Sequence, residues 1–142
     1  MLDEVDIRLM RPADLEFVMR SWLNAYKHAS SFARRIKNSV YYKWHHKIIT
    51  GILLRKTTLT YVAVLREDSD TILGFLTFEE FDNEQVVHFC YVKKDFRKMG
   101  LCRSLLNDAE VELKNACFTH WTYPVDEMIR KYPSMIYDPY RI

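Results

Sequence analysis

The sequence predicts an α/β domain, a mixed and mostly antiparallel sheet with helices on both faces. Three observations carry that expectation. Near the N-terminus, Leu15, Val18, Met19, Trp22, Leu23 and Tyr26 recur at helical spacing. The middle of the chain then switches to three runs rich in β-branched and apolar residues: Thr58 to Leu65, Ile72 to Phe78 and Gln85 to Val92. After them, Leu101, Leu105, Leu106, Ala109 and Leu113 outline one clean amphipathic helix before strand character returns. A meander followed by a crossover helix makes the sheet mixed.

The elements follow in order. Asp6 to Met10 reads as a short strand, broken by Arg11-Pro12-Ala13, with Asp14 placed to cap the next helix by accepting a first-turn amide. Lys27 to Lys37 loses the helical period and reads as a loop. Asn38 or Ser39 then caps a second helix with Tyr41, Trp44, Ile48 and Ile52 as its apolar stripe. Arg66 to Asp70 and Phe81 to Glu84 are the polar turns between strands. Cys117 to Thr122 reads as a strand, Val125 to Lys131 as a short helix, and Met135 to Ile142 as a final inserted strand.

Composition bounds the function. At 142 residues, with 49% apolar and 14% aromatic residues, the chain fits one folded domain over residues 1–142 and argues against disorder. A net charge of +2 is too mild to name a polyanionic partner. Cys90, Cys102 and Cys117 are odd in number and form no CxxC pair, which reads as reduced thiols in a cytoplasmic protein. The acidic start Met1-Leu2-Asp3-Glu4 does not resemble a signal peptide, and no apolar run approaches the ~18 residues of a membrane span.

The junction from Val92 to Cys102 carries the chemistry. A strand ends there, Gly100 follows, and a helix opens at Leu101. Helix N-termini present unpaired amides and partial positive charge, so they attract phosphates. Gly100 removes the side chain that would block close approach. Lys93, Lys94, Arg97, Lys98 and Arg103 surround it, with Asp95 as the one acid among them. A glycine before a helix near lysines is common, so this pattern alone is weak.

The segment His88 to Cys102, with Val92, Arg97 and Gly100 at matching spacing, resembles the central motif of the GNAT superfamily: an apolar strand ending in valine, then Arg/Gln-x-x-Gly-x-Gly/Ala opening a helix. The order of elements resembles that family over the whole chain. The resemblance implies a sheet splayed between its fourth and fifth strands and an N-acetyltransferase that uses acetyl-CoA. The amides of Met99, Gly100, Leu101, Cys102 and Arg103, with Arg97 and Lys98 beside them, would hold the pyrophosphate. Cys90, Tyr91 and Val92 would receive the pantetheine and the thioester carbonyl. Cys102 departs from the motif, standing where the family prefers glycine or alanine. The small size resembles phage or mobile-element members.

The proton-transfer groups are less plainly marked. In this family the base is often a carboxylate on the strand, four residues before the position of Cys90. Here that position is Val86. Counting by twos along the strand places His88 and Val86 on the face of Cys90, which makes His88 the candidate base, with a packed strand histidine as the level alternative. Glu79 and Glu80 read as solvated turn residues, with action through a water as the alternative. The family's acid is a tyrosine in the short helix that follows, where Tyr123 and Tyr132 lie, and Tyr132 closes that helix. Adjacent His45 and His46 point about 100 degrees apart on a helix, so no metal site is expected.

By resemblance, the acceptor side is the stretch Tyr26 to Lys37 with the second helix. It is basic and aromatic, and Arg34, Arg35 and Lys37 are read as a solvated loop, with an acceptor bearing acidic groups, such as a protein surface or a nucleotide-bearing molecule, as the alternative. The expected partners are acetyl-CoA and an amine acceptor, either a small molecule or a protein, with no membrane; homodimerisation is left open. A GNAT-fold protein that has lost catalysis and binds a partner is the alternative. Nucleic-acid binding through Arg34 to Lys47 is disfavoured by the low net charge.

Overall fold

The computed structural model describes residues 2–142. Six strands form one sheet in the order β1-β2-β3-β4-β5-β6: β1 (Val5–Leu9), β2 (Thr58–Leu65), β3 (Asp68–Phe81), β4 (Glu84–Val92), β5 (Ala116–Phe118) and β6 (Ile136–Tyr137). The first four are antiparallel neighbours, whereas β5 runs parallel to β4 and β6 parallel to β5. Helices α1 (Leu15–Ala29), α2 (Ser31–Arg34) and α3 (Asn38–Leu53) cover one face. Helix α4 (Leu101–Asp108) covers the other, and α5 (Tyr123–Lys131) links β5 to β6. The mixed sheet with helices on both faces is the one predicted.

Alternation along β3 divides the core. Phe75 packs with Val18, Trp22, Ile49 and Ile52 on the α1/α3 side, while Leu76 and Phe78 pack with Leu101, Leu105 and Leu106 under α4. The β3–β4 hairpin turns through Asp82 and Asn83, both with positive φ (49 and 62), a conformation these two residue types tolerate. Gly74 is required by close approach: a Cβ there would lie 2.5 Å from the Tyr91 carbonyl oxygen and 3.3 Å from Val92 Cα.

Several local expectations change. Asp14 does not cap α1. Its carboxylate instead accepts both Arg8 guanidinium nitrogens (2.6 and 3.1 Å) and the Arg11 amide (2.8 Å), tying β1 to the start of α1. The expected loop at Lys27 is helical, because α1 runs on to Ala29 and α2 follows at once. Lys27 is buried, and its ammonium donates to the carbonyls of Ala33 and Ile36. Helix α3 begins at Asn38 with Lys37 as its cap residue and no side-chain cap. It buries Tyr41, His45, Ile49 and Ile52, leaving Trp44 exposed beneath the Lys43 and Lys47 ammonium groups. Glu110, at φ 56, follows the end of α4, so Leu113 falls outside that helix. The final strand spans Ile136–Tyr137 alone, and Pro139 opens a 3-10 turn.

Gly74→Ala should force β3 and β4 apart. The expected loss lies near the upper end of the about 1–3 kcal/mol typical of overpacking, read as a lower urea midpoint, because the obstacle is backbone.

Candidate functional site

Strand β4 stays paired with β3 through Val92 but leaves β5 early. The β4–β5 pairs are Gln85 with Ala116, Val86 with Cys117 and Val87 with Phe118, and Thr119 N donates to Val87 O at 3.2 Å. Beyond that point the strands part, and the edge from Phe89 to Val92 forms one wall of a cleft of about 1830 Å³. The other walls come from α1, α3, the loop before α4 and the start of α5.

Of the residues expected to hold the cofactor, Cys90, Tyr91, Val92, Arg97, Lys98, Gly100, Leu101 and Cys102 line this cleft; Met99 and Arg103 stand beside it. Gly100 adopts φ 83 and Lys98 φ 65, so the turn needs left-handed backbone twice within three residues. Glycine takes that conformation freely, whereas lysine holds it at a cost of about 1 kcal/mol. The first helical bond runs from Ser104 N to Gly100 O (2.9 Å), so the Leu101, Cys102 and Arg103 amides have no acceptor within the helix. A Cβ on Gly100 would meet only Leu2 Cδ1, at 3.7 Å. Arg97 Nε donates to Val92 O at 2.9 Å, bracing the loop against the end of β4.

Cys102 turns inward. Cys90 donates its S–H to Cys102 Sγ across 3.1 Å, which raises the Cys90 thiol and lowers that of Cys102. The departure from glycine at this position therefore fills space between α4 and β4.

The pairing register corrects the reading of His88. Thr77 faces Phe89, yet the next residue, Phe78, faces Val87, so β4 bulges at His88. Cys90 consequently shares its face with Val87, and both pack toward α4. His88 and Val86 lie on the opposite face, where Val86 pairs with Glu79. Glu79 is neither solvated nor a turn residue: it is 3% exposed. Its carboxylate accepts from His88 Nε2 (2.7 Å), Arg55 Nη1 (2.7 Å) and Thr57 Oγ1 (2.5 Å). Burial pushes this carboxyl up, but those hydrogen bonds prevail and hold it below its usual range. Glu79 thus sets a buried carboxylate beside Val86 from the neighbouring strand. Glu80, next to it, is exposed.

His88 belongs to a larger buried cluster. His88 Nδ1 lies 2.8 Å from Thr119 Oγ1, which lies 2.9 Å from His120 Nδ1. His120 Nε2 meets His45 Nε2 at 2.8 Å. Burial is the leading reason that all three imidazoles lose protons more readily than usual, His45 down to about 4. Sequence reading missed His45, Thr119 and His120 because their partners lie far along the chain. None of the three histidines is on the cleft wall. Tyr123 does line the cleft and accepts a long hydrogen bond from Arg34 Nη1 (3.4 Å), whereas Tyr132 lies outside it, its amide donating to Met128 O at the end of α5. His46 faces the cleft from α3 while His45 faces the core.

A family model described as Acetyltransferase (GNAT) family matches residues 17–130. Among solved structures, the chain is similar to a GCN5-related N-acetyltransferase from Ralstonia eutropha JMP134 (17% identity, 89% of this chain and 90% of that one, TM-score 0.65). It is also similar to the PaiA N-acetyltransferase from Thermoplasma acidophilum, solved in complex with coenzyme A (18% identity, 75% and 69%, TM-score 0.56). A third likeness is to Arabidopsis thaliana NAA60, solved with a bisubstrate analogue (16% identity, 79% and 70%, TM-score 0.51). These likenesses concern the fold. A search of curated protein sequences gives no match. Among the described residues, no helix is long and apolar enough to cross a membrane.

The buried histidines set an acid limit on stability. Unfolded histidine titrates near ~6.5, and the folded values are lower, so below that pH the unfolded chain binds more protons. Stability contributed by their neutral forms is complete above ~6.5 and falls toward the folded value of about 4 for His45, by up to about 1.4 kcal/mol per pH unit for each histidine. The urea midpoint should therefore drop between pH 7 and pH 5; a midpoint constant over that interval would contradict the assignment.

Proposed function

The chain belongs to the GNAT acetyltransferase family, and from that premise we propose that it moves an acetyl group from acetyl-CoA to a primary amine by direct attack in a ternary complex. The observation that carries the reading is the Arg97–Cys102 turn at the mouth of the cleft. Three helix-end amides without intrahelical acceptors, an open glycine and the neighbouring Arg97 and Lys98 suit a pyrophosphate. The apolar edge from Phe89 to Val92 suits a pantetheine arm beside it. Cys102 does not obstruct this site, since its side chain points to Cys90.

Acetyl-CoA supplies a thioester, an acyl carbon that an amine can attack with a thiolate as leaving group. The residues of this chain provide the rest. Amides of Leu101, Cys102 and Arg103 anchor the phosphates, with Met99 and Gly100 shaping the turn. The β4 edge at Cys90, Tyr91 and Val92 orients the carbonyl and polarises it. His88 acts as base from behind the cleft wall, without touching the amine, with Glu79 bonded to Nε2 stabilising its charged form. Of the two candidate acids we assign Tyr123, which stands in the cleft, in preference to Tyr132. The acceptor approaches between α1 and α3, where Tyr42, His46 and Thr50 line the wall. Glu16 on α1 is the one carboxylate among the cleft-lining residues, and Arg20 pairs with it at 3.6 Å.

Calorimetry with acetyl-CoA tests the cofactor site. Gly100→Asp should weaken binding by at least about tenfold, or about 1.4 kcal/mol, by placing a carboxylate against the anion. Cys102→Ala should bind within about threefold of wild type, because the thiol is engaged by Cys90 and the backbone amide offered to the phosphate is kept. Full binding by Gly100→Asp would show that the phosphates lie elsewhere. Binding without thiol release on a panel of primary amines would favour the partner-binding reading over catalysis.

A further inference from the structure

The contacts His45–His120–Thr119–His88–Glu79 have a consequence beyond naming a base. Both ring nitrogens of His88 are engaged, Nε2 by Glu79 and Nδ1 by Thr119, and the residue is 1% exposed. A proton can therefore reach its lone pair only through the Thr119 hydroxyl. That hydroxyl touches one further group, His120 Nδ1, and His120 continues through Nε2 to His45 Nε2. Among the described residues, the buried side-chain nitrogen or oxygen lacking a partner is Trp22 Nε1 alone. His45 Nδ1 makes no hydrogen bond and is not wholly buried, which makes it the outer end of the chain.

Glu79 also sets the direction of every proton in the chain. Its carboxylate, held ionised by Arg55 and Thr57, can only accept, so His88 carries its proton on Nε2. His88 Nδ1 must then accept from Thr119, whose oxygen accepts from His120 Nδ1–H. His120 Nε2 in turn accepts from His45 Nε2–H. Three neutral rings result, all of one polarity, with the free lone pair at His45 Nδ1.

Resting on the acetyl-transfer reading above, we propose that these five residues form a proton relay that takes up at His45, by way of water, the proton the amine sheds and stores its charge at His88 beside Glu79. A proton binding His45 Nδ1 displaces that ring's Nε2 proton onto His120 Nε2. His120 passes its Nδ1 proton to Thr119, and Thr119 passes its own to His88 Nδ1. No heavy-atom bond changes. One proton is gained, the polarity reverses, and the imidazolium formed lies 2.7 Å from a carboxylate. Running backward to solvent resets the base.

The relay runs one ring behind the cleft. Phe89 lines the cleft and its ring centroid is 6.0 Å from that of His120, while Tyr42 and His46 bring α3 to the cleft on either side of His45. Trp22 and Tyr26 from α1 and Tyr41 from α3 enclose the His45–His120 pair and exclude other acceptors. The charged groups facing the chain are Glu79 and Arg55, with Arg141 near His88. Burial disfavours the imidazolium at every station, which keeps the resting chain neutral.

Nitrogen NMR of ring-labelled histidine on the intact protein at pH 7 tests the polarity without turnover. His120 should carry its proton on Nδ1, the minor form in water, and His45 and His88 on Nε2. A proton on His120 Nε2 would overturn the relay. In turnover, Thr119→Val should lower kcat by about 10- to 100-fold. Acetyl-CoA affinity should stay within twofold, and Thr119→Ser should recover most of the rate with the wild-type pH profile. An unchanged kcat in a folded Thr119→Val protein would also overturn it. The expected protonation pattern in a protein that acetylates nothing would overturn the acetyl-transfer reading and leave a relay without that donor. Acetylation with His120 protonated on Nε2 would do the reverse.

Discussion

One extra residue in β4 governs which side chains line the cleft and which meet behind it. The bulge at His88 lets Thr77 face Phe89 and Phe78 face Val87, so the strand changes phase between its two ends. Past the bulge, Cys90 faces α4 and Tyr91 faces α1, which builds the cleft wall. At the bulge, His88 swings to the α1/α3 face and meets Glu79. Without that shift, His88 would face α4, and the buried carboxylate on β3 would have no imidazole to hold.

Glu79 shows what such a group requires. A carboxylate at 3% exposure is costly unless its lone pairs are filled, and here Arg55, Thr57 and His88 fill them from three directions. Arg55 follows α3 and also donates to the carbonyl of Arg141 at 3.3 Å. Arg141 in turn pairs with Glu84 across 2.9 Å. The segment around Arg141 is thereby fastened over the start of β4 near the buried charge, a task the two-residue β6 could not perform through its ladder alone.

The Arg97–Cys102 turn and the histidine cluster occupy opposite sides of the place where β4 and β5 separate. Parting the strands just past Thr119 opens an edge of β4 and frees His120 from the ladder, with both side chains turned inward. The same separation therefore creates the cleft and completes the hydrogen-bonded chain behind it. Cys102 fits this arrangement by packing against Cys90, where glycine would leave a gap between helix and strand.

Local signals in the sequence determined much of this protein. Period three-to-four apolar spacing marked α1 and α4, β-branched runs with polar turns marked the three-strand meander, and Gly100 ahead of Leu101 marked the phosphate-type turn. Each depends on neighbours within a few residues, as do helix amphipathicity and backbone handedness. Where the chain departed from expectation, a distant partner decided. Trp44 and His45 compete for the inner face of α3, and His45 takes it because it hydrogen-bonds His120, 75 residues away. Glu79 looks like a solvated turn residue until β4 and Arg55 enclose it. The face of His88 turns on a bulge that period-two counting cannot register, since pairing with β3 sets it. Sequence thus determined the fold class and the turn. Tertiary structure alone decided which polar groups became buried partners, because a buried polar group is tolerated only where another element supplies its hydrogen bond.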